Sequence, residues 1–282
     1  MILVAIIIGT LIAGIGSVWL AAVLSFGVLA RYTQHMLSLA AGALLATAFM
    51  HLLPEAFESQ AGAKDLFMTL LVGLVFFFLL DKAELWHHGH EHHHHPHQHH
   101  HPQDHHDSQN QHDSHNHRDP QPDDHAAHKP GSWAVLTGDS VHCFGDGMLI
   151  ASAFMADMRL GAIAALAVLV HEIPHHMGDL MVLSHNAGAA SSNKRTALVK
   201  VSLAGSVTAI GGVLGYWLVE QMRDWLPYFL VMASSSFIYV ALADLIPQLQ
   251  KRLSARQTAA QIAWLGVGIA MVTAISGLAH GL

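Results

Sequence analysis

Two short runs of this chain gather metal-ligand chemistry at helical spacing. The first reads Val141-His142-Cys143-Phe144-Gly145-Asp146-Gly147. His142 and Asp146 are four residues apart and share a helical face, and Cys143 and Asp146, three apart, are also neighbours. The second reads His171-Glu172-Ile173-Pro174-His175-His176-Met177-Gly178-Asp179. His171 and His175 again stand at i and i+4, with Glu172 beside them and seven residues before Asp179. Imidazole, carboxylate and thiol together offer both hard oxygen and softer nitrogen and sulfur ligands.

Both runs sit inside apolar stretches, where ionisable groups are costly. An aspartate at the centre of a membrane helix costs about 2.5–3.5 kcal/mol on insertion scales. The second run alone carries His171, Glu172, His175, His176 and Asp179. These groups must face protein, a cavity or an ion. A polar network that merely holds a bundle together would account for one histidine with one aspartate. It does not account for so many groups on two helices.

The elements that must position these runs are membrane helices. The chain has 282 residues, of which 52% are hydrophobic and 12% charged. A soluble domain carries about 25% charged residues. Mean hydropathy is +0.37 even with 26 histidines. This excludes a soluble enzyme, a disordered protein and a disulfide-stapled domain, since Cys143 is the single cysteine. A formal net charge of −7 leaves no basic surface for nucleic acid. Eight stretches are long and apolar enough to cross a bilayer: 2–26, 35–57, 66–85, 133–156, 160–184, 197–219, 226–249 and 259–278. The first is expected to be a retained span rather than a signal peptide, because Arg31 is the first positive charge. The expected fold is all-α: one polytopic transmembrane bundle in the lipid bilayer. Residues 1–85 would supply spans one to three and residues 132–282 spans four to eight.

Residues 86–131 break the pattern. Eighteen histidines fall between residues 87 and 128, with aspartates interleaved and no apolar periodicity. Such a segment is expected to be disordered. Its imidazoles suit a metal buffer or sensor, the other reading being a polar linker. Alternate connections divide the positive charges unevenly. One set holds Arg31, Lys82, Arg118, Lys129, Lys194, Arg195, Lys200, Lys251, Arg252 and Arg256, and the other holds Lys64, Arg159 and Arg223. The richer set belongs in the cytoplasm, with the histidine-rich loop, and both termini belong outside the cell membrane. Trp86, Trp133 and Trp225 fall at span ends, as an aromatic belt would place them.

Depths agree across the two ligand runs. With spans four and five antiparallel, His142 and His175 both lie ~13–14 Å from the inner surface, at about 1.5 Å per residue. Asp146 and His171 match one turn further out. Pro174 removes a backbone donor and should kink span five. Gly145, Gly147 and Gly178 read as sites of close helix approach.

These residues resemble the ZIP (Zrt/Irt-like) family of divalent-metal transporters, in its histidine-rich branch. The fourth-span pattern of that family is similar to His142-Cys143-Phe144-Gly145-Asp146-Gly147, and its fifth-span pattern to His171 through Asp179. His51-Leu52-Leu53-Pro54-Glu55 in span two also looks like the family. The resemblance covers the whole chain. It implies eight spans in a three-two-three inverted-repeat arrangement, and import of a divalent metal, zinc first and iron(II), manganese or cadmium besides. It also implies a two-metal centre and a homodimer. A first site would use His142, Asp146, His171 and His175, with His51. A second would use Cys143, Asp146, Glu172 and His175, with Asp146 and His175 bridging. Two residues depart from the pattern: Cys143 stands where the family has asparagine, and His176 where it has glutamate. Sulfur in place of an amide oxygen tilts a site toward softer ions. His51 is either a ligand at the outer mouth or an interfacial histidine. Asp244 is either a ligand on the way out or a helix-end charge.

Three other readings share these residues. His171-Glu172-Ile173-Pro174-His175 matches the H-E-x-x-H of zinc proteases, with Glu172 as general base. Pro174 within that helix and the second ligand pair, His142 and Asp146, argue against it. Exporters of the cation-diffusion-facilitator type also carry histidine-rich loops. They have six spans and cytoplasmic termini, unlike the pattern here. A membrane-bound metal sensor that moves no ion is a third reading.

Overall fold

The computed structural model describes residues 1–25, 33–89, 132–186, 191–249 and 254–280. Within them the chain is helical from end to end of the apolar stretches. Helix α1 comprises an α-helix at Ile2–Leu11, a π-helical turn at Ile12–Gly16 and an α-helix at Ser17–Ser25. Helix α2 has the same build: Thr33–Thr47, a π turn at Ala48–Leu52 and Leu53–Phe57. Then come α3 (Ala63–Gly89), α4 (Ser132–Ala156), α5 (Met158–Asn186) and α6 (Ser191–Gln221). A short 3₁₀ turn, Arg223–Trp225, leads into α7 (Leu226–Leu249), and α8 (Ala255–His280) closes the chain. Among the described residues there is no strand. The chain is an all-α polytopic membrane protein.

Seven of these helices are long and apolar enough to cross a membrane, and α4 is not among them. Its shortfall is chemical. Asp139, His142 and Asp146 stand within its described turns and lower its apolar character, so α4 needs protein around it. It has that protein. Helix α4 packs chiefly on α6 and α5, and α1 packs on α5 and α6. Helix α2 packs chiefly on α8, α7 and α5, and α3 on α7. Helix α5 touches both α1 and α2 and so joins the two sets. It is the most enclosed of the seven, with 67% of its apolar window buried, against 11% for α3 and for α8. The outermost helices show large apolar side chains such as Phe67, Leu71, Phe76, Leu79 and Ile262 to the surroundings. That is the surface a bilayer solvates.

Glycines bring the inner helices together. A Cβ at Gly147 of α4 would lie 2.0 Å from the Thr208 carbonyl oxygen of α6, and one at Gly211 would lie 2.1 Å from the Phe144 oxygen. Only the missing side chain permits that approach. Gly145 and Gly178 differ from the expectation: a Cβ there meets nothing within 4 Å among the described residues. On helix faces that leave open space, a small residue is not required by packing.

Two further expectations meet the structure here. Helix α5 continues through Pro174 as one element. Helix α3 runs on to Gly89, so the first residues of the expected loop are helical. The rest of the histidine-rich segment, residues 90–131, lies outside the described residues, as do the side chains of Trp86 and Trp133. Trp225 is exposed at the turn before α7.

Candidate metal centre

A tight connection sets the two ligand-bearing helices level. Helix α4 ends at Ala156 and α5 starts at Met158, with Asp157 alone between them. The Asp157 carboxylate accepts from the backbone N–H groups of Arg159 (2.8 Å) and Leu160 (3.1 Å), an N-cap for α5. Cys143 stands fourteen residues before Asp157 (157 − 143) and His171 fourteen after it (171 − 157). An antiparallel pair with so short a turn therefore places the 139–146 stripe of α4 against residues 171–176 of α5.

The first group along this seam is His142, Asp146, His171 and Glu172. One ligand atom from each lies within 4.8 Å of all the others. His142 Nε2 is 3.3 Å from His171 Nε2 and 3.4 Å from Glu172 Oε1. It is 3.8 Å from Asp146 Oδ2. His171 Nε2 is 3.4 Å from Asp146 Oδ2 and 3.5 Å from Glu172 Oε1. His171, Glu172 and Asp146 are buried, while His142 is partly exposed. Two imidazole nitrogens and two carboxylates converging at these distances make the donor set of a zinc site.

The second group is Asp139, Cys143, Glu172 and His176, all buried, again with ligand atoms within 4.8 Å of one another. The Cys143 thiol lies 3.7 Å from Asp139 Oδ1. His176 Nε2 is 3.1 Å from Glu172 Oε2 and 3.7 Å from Asp139 Oδ1. Its other nitrogen, Nδ1, is 3.0 Å from the hydroxyl of Ser17 on α1.

The structure thus brings together five of the expected ligands, His142, Cys143, Asp146, His171 and Glu172, but partitions them differently. Glu172 is common to the two groups, in place of the expected bridges Asp146 and His175. His175 is in neither group. Its exposed ring stacks on His142 at a centroid distance of 5.3 Å and stands 6.3 Å from His171, at the rim. His51 lies in the π turn of α2, half-buried, also outside both groups. Asp244 lies on α7, and its side chain falls outside the described residues.

Asp139 and His176 were not among the expected site residues. Their spacing carries a signal all the same. Asp139 is four residues before Cys143 and His176 four after Glu172, so each shares a face with a named ligand.

A polytopic helical membrane protein whose most enclosed helix carries buried imidazoles and carboxylates belongs, by fold and site, to the membrane proteins that handle metal ions. The chain belongs to the ZIP zinc transporter family, whose pattern matches residues 1–276. It is similar to human zinc transporter ZIP4, at 35% identity over 122 residues, covering 42% of this chain and 18% of that protein. It is similar to the zinc transporter foi of Drosophila melanogaster, at 33% over 147 residues, covering 51% and 20%. A longer match joins it to zinc transporter ZIP13 of Pongo abelii, at 24% over 299 residues, covering 96% and 77%. The chain spans about a fifth of the length of the first two relatives. The family is one of transporters rather than enzymes, and the protease reading is not favoured.

Proposed function

We propose that this protein carries divalent metal, zinc foremost, across the membrane into the cytoplasm. The observation that carries the reading is the convergence of His142, Asp146, His171 and Glu172 inside the bundle. These donors would replace the hydration shell of the ion one ligand at a time. His175, exposed, and His142, partly exposed, are where an ion would be received and released. His51 and Asp244 remain candidates for ligands before and after the centre. Ten positive charges against three support a cytoplasmic histidine-rich loop and outer termini, in the cell membrane. The loop would buffer or sense the delivered ion. Iron(II), manganese and cadmium suit the same donors to differing degrees. A homodimer follows from the resemblance.

The test is radioactive zinc uptake into proteoliposomes by wild type, His142→Ala and Asp146→Asn, with iron(II) and manganese as competitors. Uptake that both substitutions abolish supports transport through this centre. Intact zinc binding with no flux in the wild type overturns it in favour of a sensor.

A further inference from the structure

A histidine has two polar ends, and at position 176 one of them reaches a helix outside the ligand hairpin. The pattern that this sequence resembles has glutamate there, which aims both oxygens at one place. An imidazole that turns one nitrogen toward the α4–α5 seam must satisfy the other elsewhere. Here Nε2 faces Glu172 Oε2 at 3.1 Å, and Nδ1 lies 3.0 Å from the Ser17 hydroxyl of α1. Ser17 and His176 are fully buried, so protein has to supply the partner of Nδ1. The turn before Ser17 holds it in place. A Cβ at Gly14, in the π turn, would lie 2.0 Å from the Gly205 carbonyl oxygen of α6. Val18 shares a buried apolar cluster with Met177, the neighbour of His176. Ser17 Oγ is 2.6 Å from the Gly14 carbonyl oxygen, which can only accept. A hydroxyl has one hydrogen. It goes to Gly14, and the Ser17 oxygen accepts from Nδ1–H of His176. Nε2 is left with a lone pair on the side where Glu172 stands. Among the described residues no donor is aligned with Nε2 or with Glu172 Oε2.

We propose that Ser17 is a positioning residue of the metal centre: it is not itself a ligand, and it acts by holding His176 in the one tautomer and ring orientation that leave Nε2 open toward Glu172. An oxygen that accepts the second N–H of a histidine fixes its ring and tautomer at metal sites in general. Glu172 carries the effect onward, because its other oxygen, Oε1, is 3.4 Å from His142 Nε2 and 3.5 Å from His171 Nε2. Helix α1, which carries none of the ligand residues, thereby belongs to the centre. The role is tied to the histidine. A glutamate at position 176 has no ring N–H to give, and the Ser17 hydroxyl would then hold nothing. The proposal rests on reading the α4–α5 cluster as a metal centre, and not on flux through it.

That dependence is the test. A double-mutant cycle joins Ser17→Ala to His176→Glu, with His176→Ala as a second background should the first not fold. Cadmium chloride is titrated into the purified, monodisperse full chain in detergent, and the ultraviolet cadmium–thiolate band is followed. Cys143 is the single cysteine, so the histidine-rich segment is silent in this band. Zinc uptake into proteoliposomes is measured on the same proteins, and its half-maximal concentration reads the same cycle should a background lose the band. With His176 in place, Ser17→Ala should raise the midpoint about 10–100-fold. In the His176→Glu and His176→Ala backgrounds it should move the midpoint by no more than about twofold, the error within which independent changes add. An equal shift in every background makes Ser17 a packing residue and overturns the proposal. So does a midpoint that Ser17→Ala leaves unmoved with His176 in place, or the absence of the band in the wild type. The expected shifts without zinc flux keep the role of Ser17 and remove the transport reading; flux with equal shifts in every background does the reverse.

Discussion

Replacing Ser17 by alanine removes one hydroxyl that touches no metal-ligand atom of the first group, yet it should weaken metal binding by one to two orders of magnitude. His176 Nδ1 lies 3.0 Å from the Ser17 hydroxyl, whose one hydrogen goes to the Gly14 oxygen at 2.6 Å, so the Ser17 oxygen is left to accept from Nδ1–H. After Ser17→Ala a buried N–H has no acceptor, a loss of about 1–3 kcal/mol. The imidazole can escape that cost by moving its proton to Nε2, which faces Glu172 Oε2 at 3.1 Å. Metal must then displace that proton and restore the unpartnered Nδ1–H. At about 1.4 kcal/mol per tenfold, the cost corresponds to roughly 5–150-fold in affinity. Independent experience with partners of metal-bound histidines gives about 10–100-fold. Cadmium affinity, read from the ultraviolet cadmium–thiolate band that Cys143, the single cysteine, would give, and the zinc concentration giving half-maximal uptake, should both shift by that amount. Ser234→Ala is the control. Ser234 is equally buried, but among the described residues its hydroxyl bonds only within its own helix, to Leu230 O at 2.9 Å, and its loss should leave both measurements unchanged. If Ser17→Ala stays within about threefold of wild type in both, well below the range such partners give, the tautomer argument fails.

Other consequences follow from the same geometry. Gly147→Ala should destabilise the bundle by about 1–3 kcal/mol, the scale of overpacking, because its Cβ would lie 2.0 Å from the Thr208 oxygen. Thermal unfolding in detergent measures it, with Gly145→Ala, which meets nothing within 4 Å, expected near wild type. Zinc uptake should weaken as external pH falls from about 7.5 to 5.5, because protons compete with metal for imidazole; a flat profile contradicts histidine ligation on the path. Deleting residues 92–128 should lower the number of zinc ions bound per chain, read by elemental analysis, while uptake persists.

Helical spacing made part of the centre legible, because it is a local property. The pairs His142/Asp146 and His171/His175 each share a face by spacing alone, and an antiparallel hairpin puts those faces at one depth. What spacing leaves open is the rotation of α5 about its axis. At 3.6 residues per turn, neighbouring residues point roughly 100° apart, so His175 and His176 cannot both face α4 equally. The packing of α5 between α1 and α2 decides the matter: it buries His176 and leaves His175 at the rim. The count of apolar helices shows the same limit. Residues 132–156 are a helix in a place hydropathy predicts, yet they are too polar to pass as a lone span, because α4 spends its polar face on α5 and the ligands.

Ser17 could not have been found from the ligand motifs, since it lies 159 residues from His176. Its position depends on the π turn at Ile12–Gly16, which rotates the chain by an extra residue just before Ser17 and supplies the Gly14 oxygen it bonds. Such turns are frequent at functional sites. Helix α2 has its own π turn, at Ala48–Leu52, which carries His51. Both elements therefore depart from regular helix where each presents a polar residue that ligand chemistry could use. The demands on Glu172 explain why α1 is drawn in. A carboxylate facing three imidazoles at 3.1–3.5 Å must keep its two oxygens turned toward different partners. Holding His176 in one tautomer from α1 gives Oε2 a fixed direction, and Oε1 is left to His142 and His171. Motion of α1 relative to α5 would loosen one side of Glu172 and not the other, so the link through Ser17 is the place where helix movement would reach the ligand cluster.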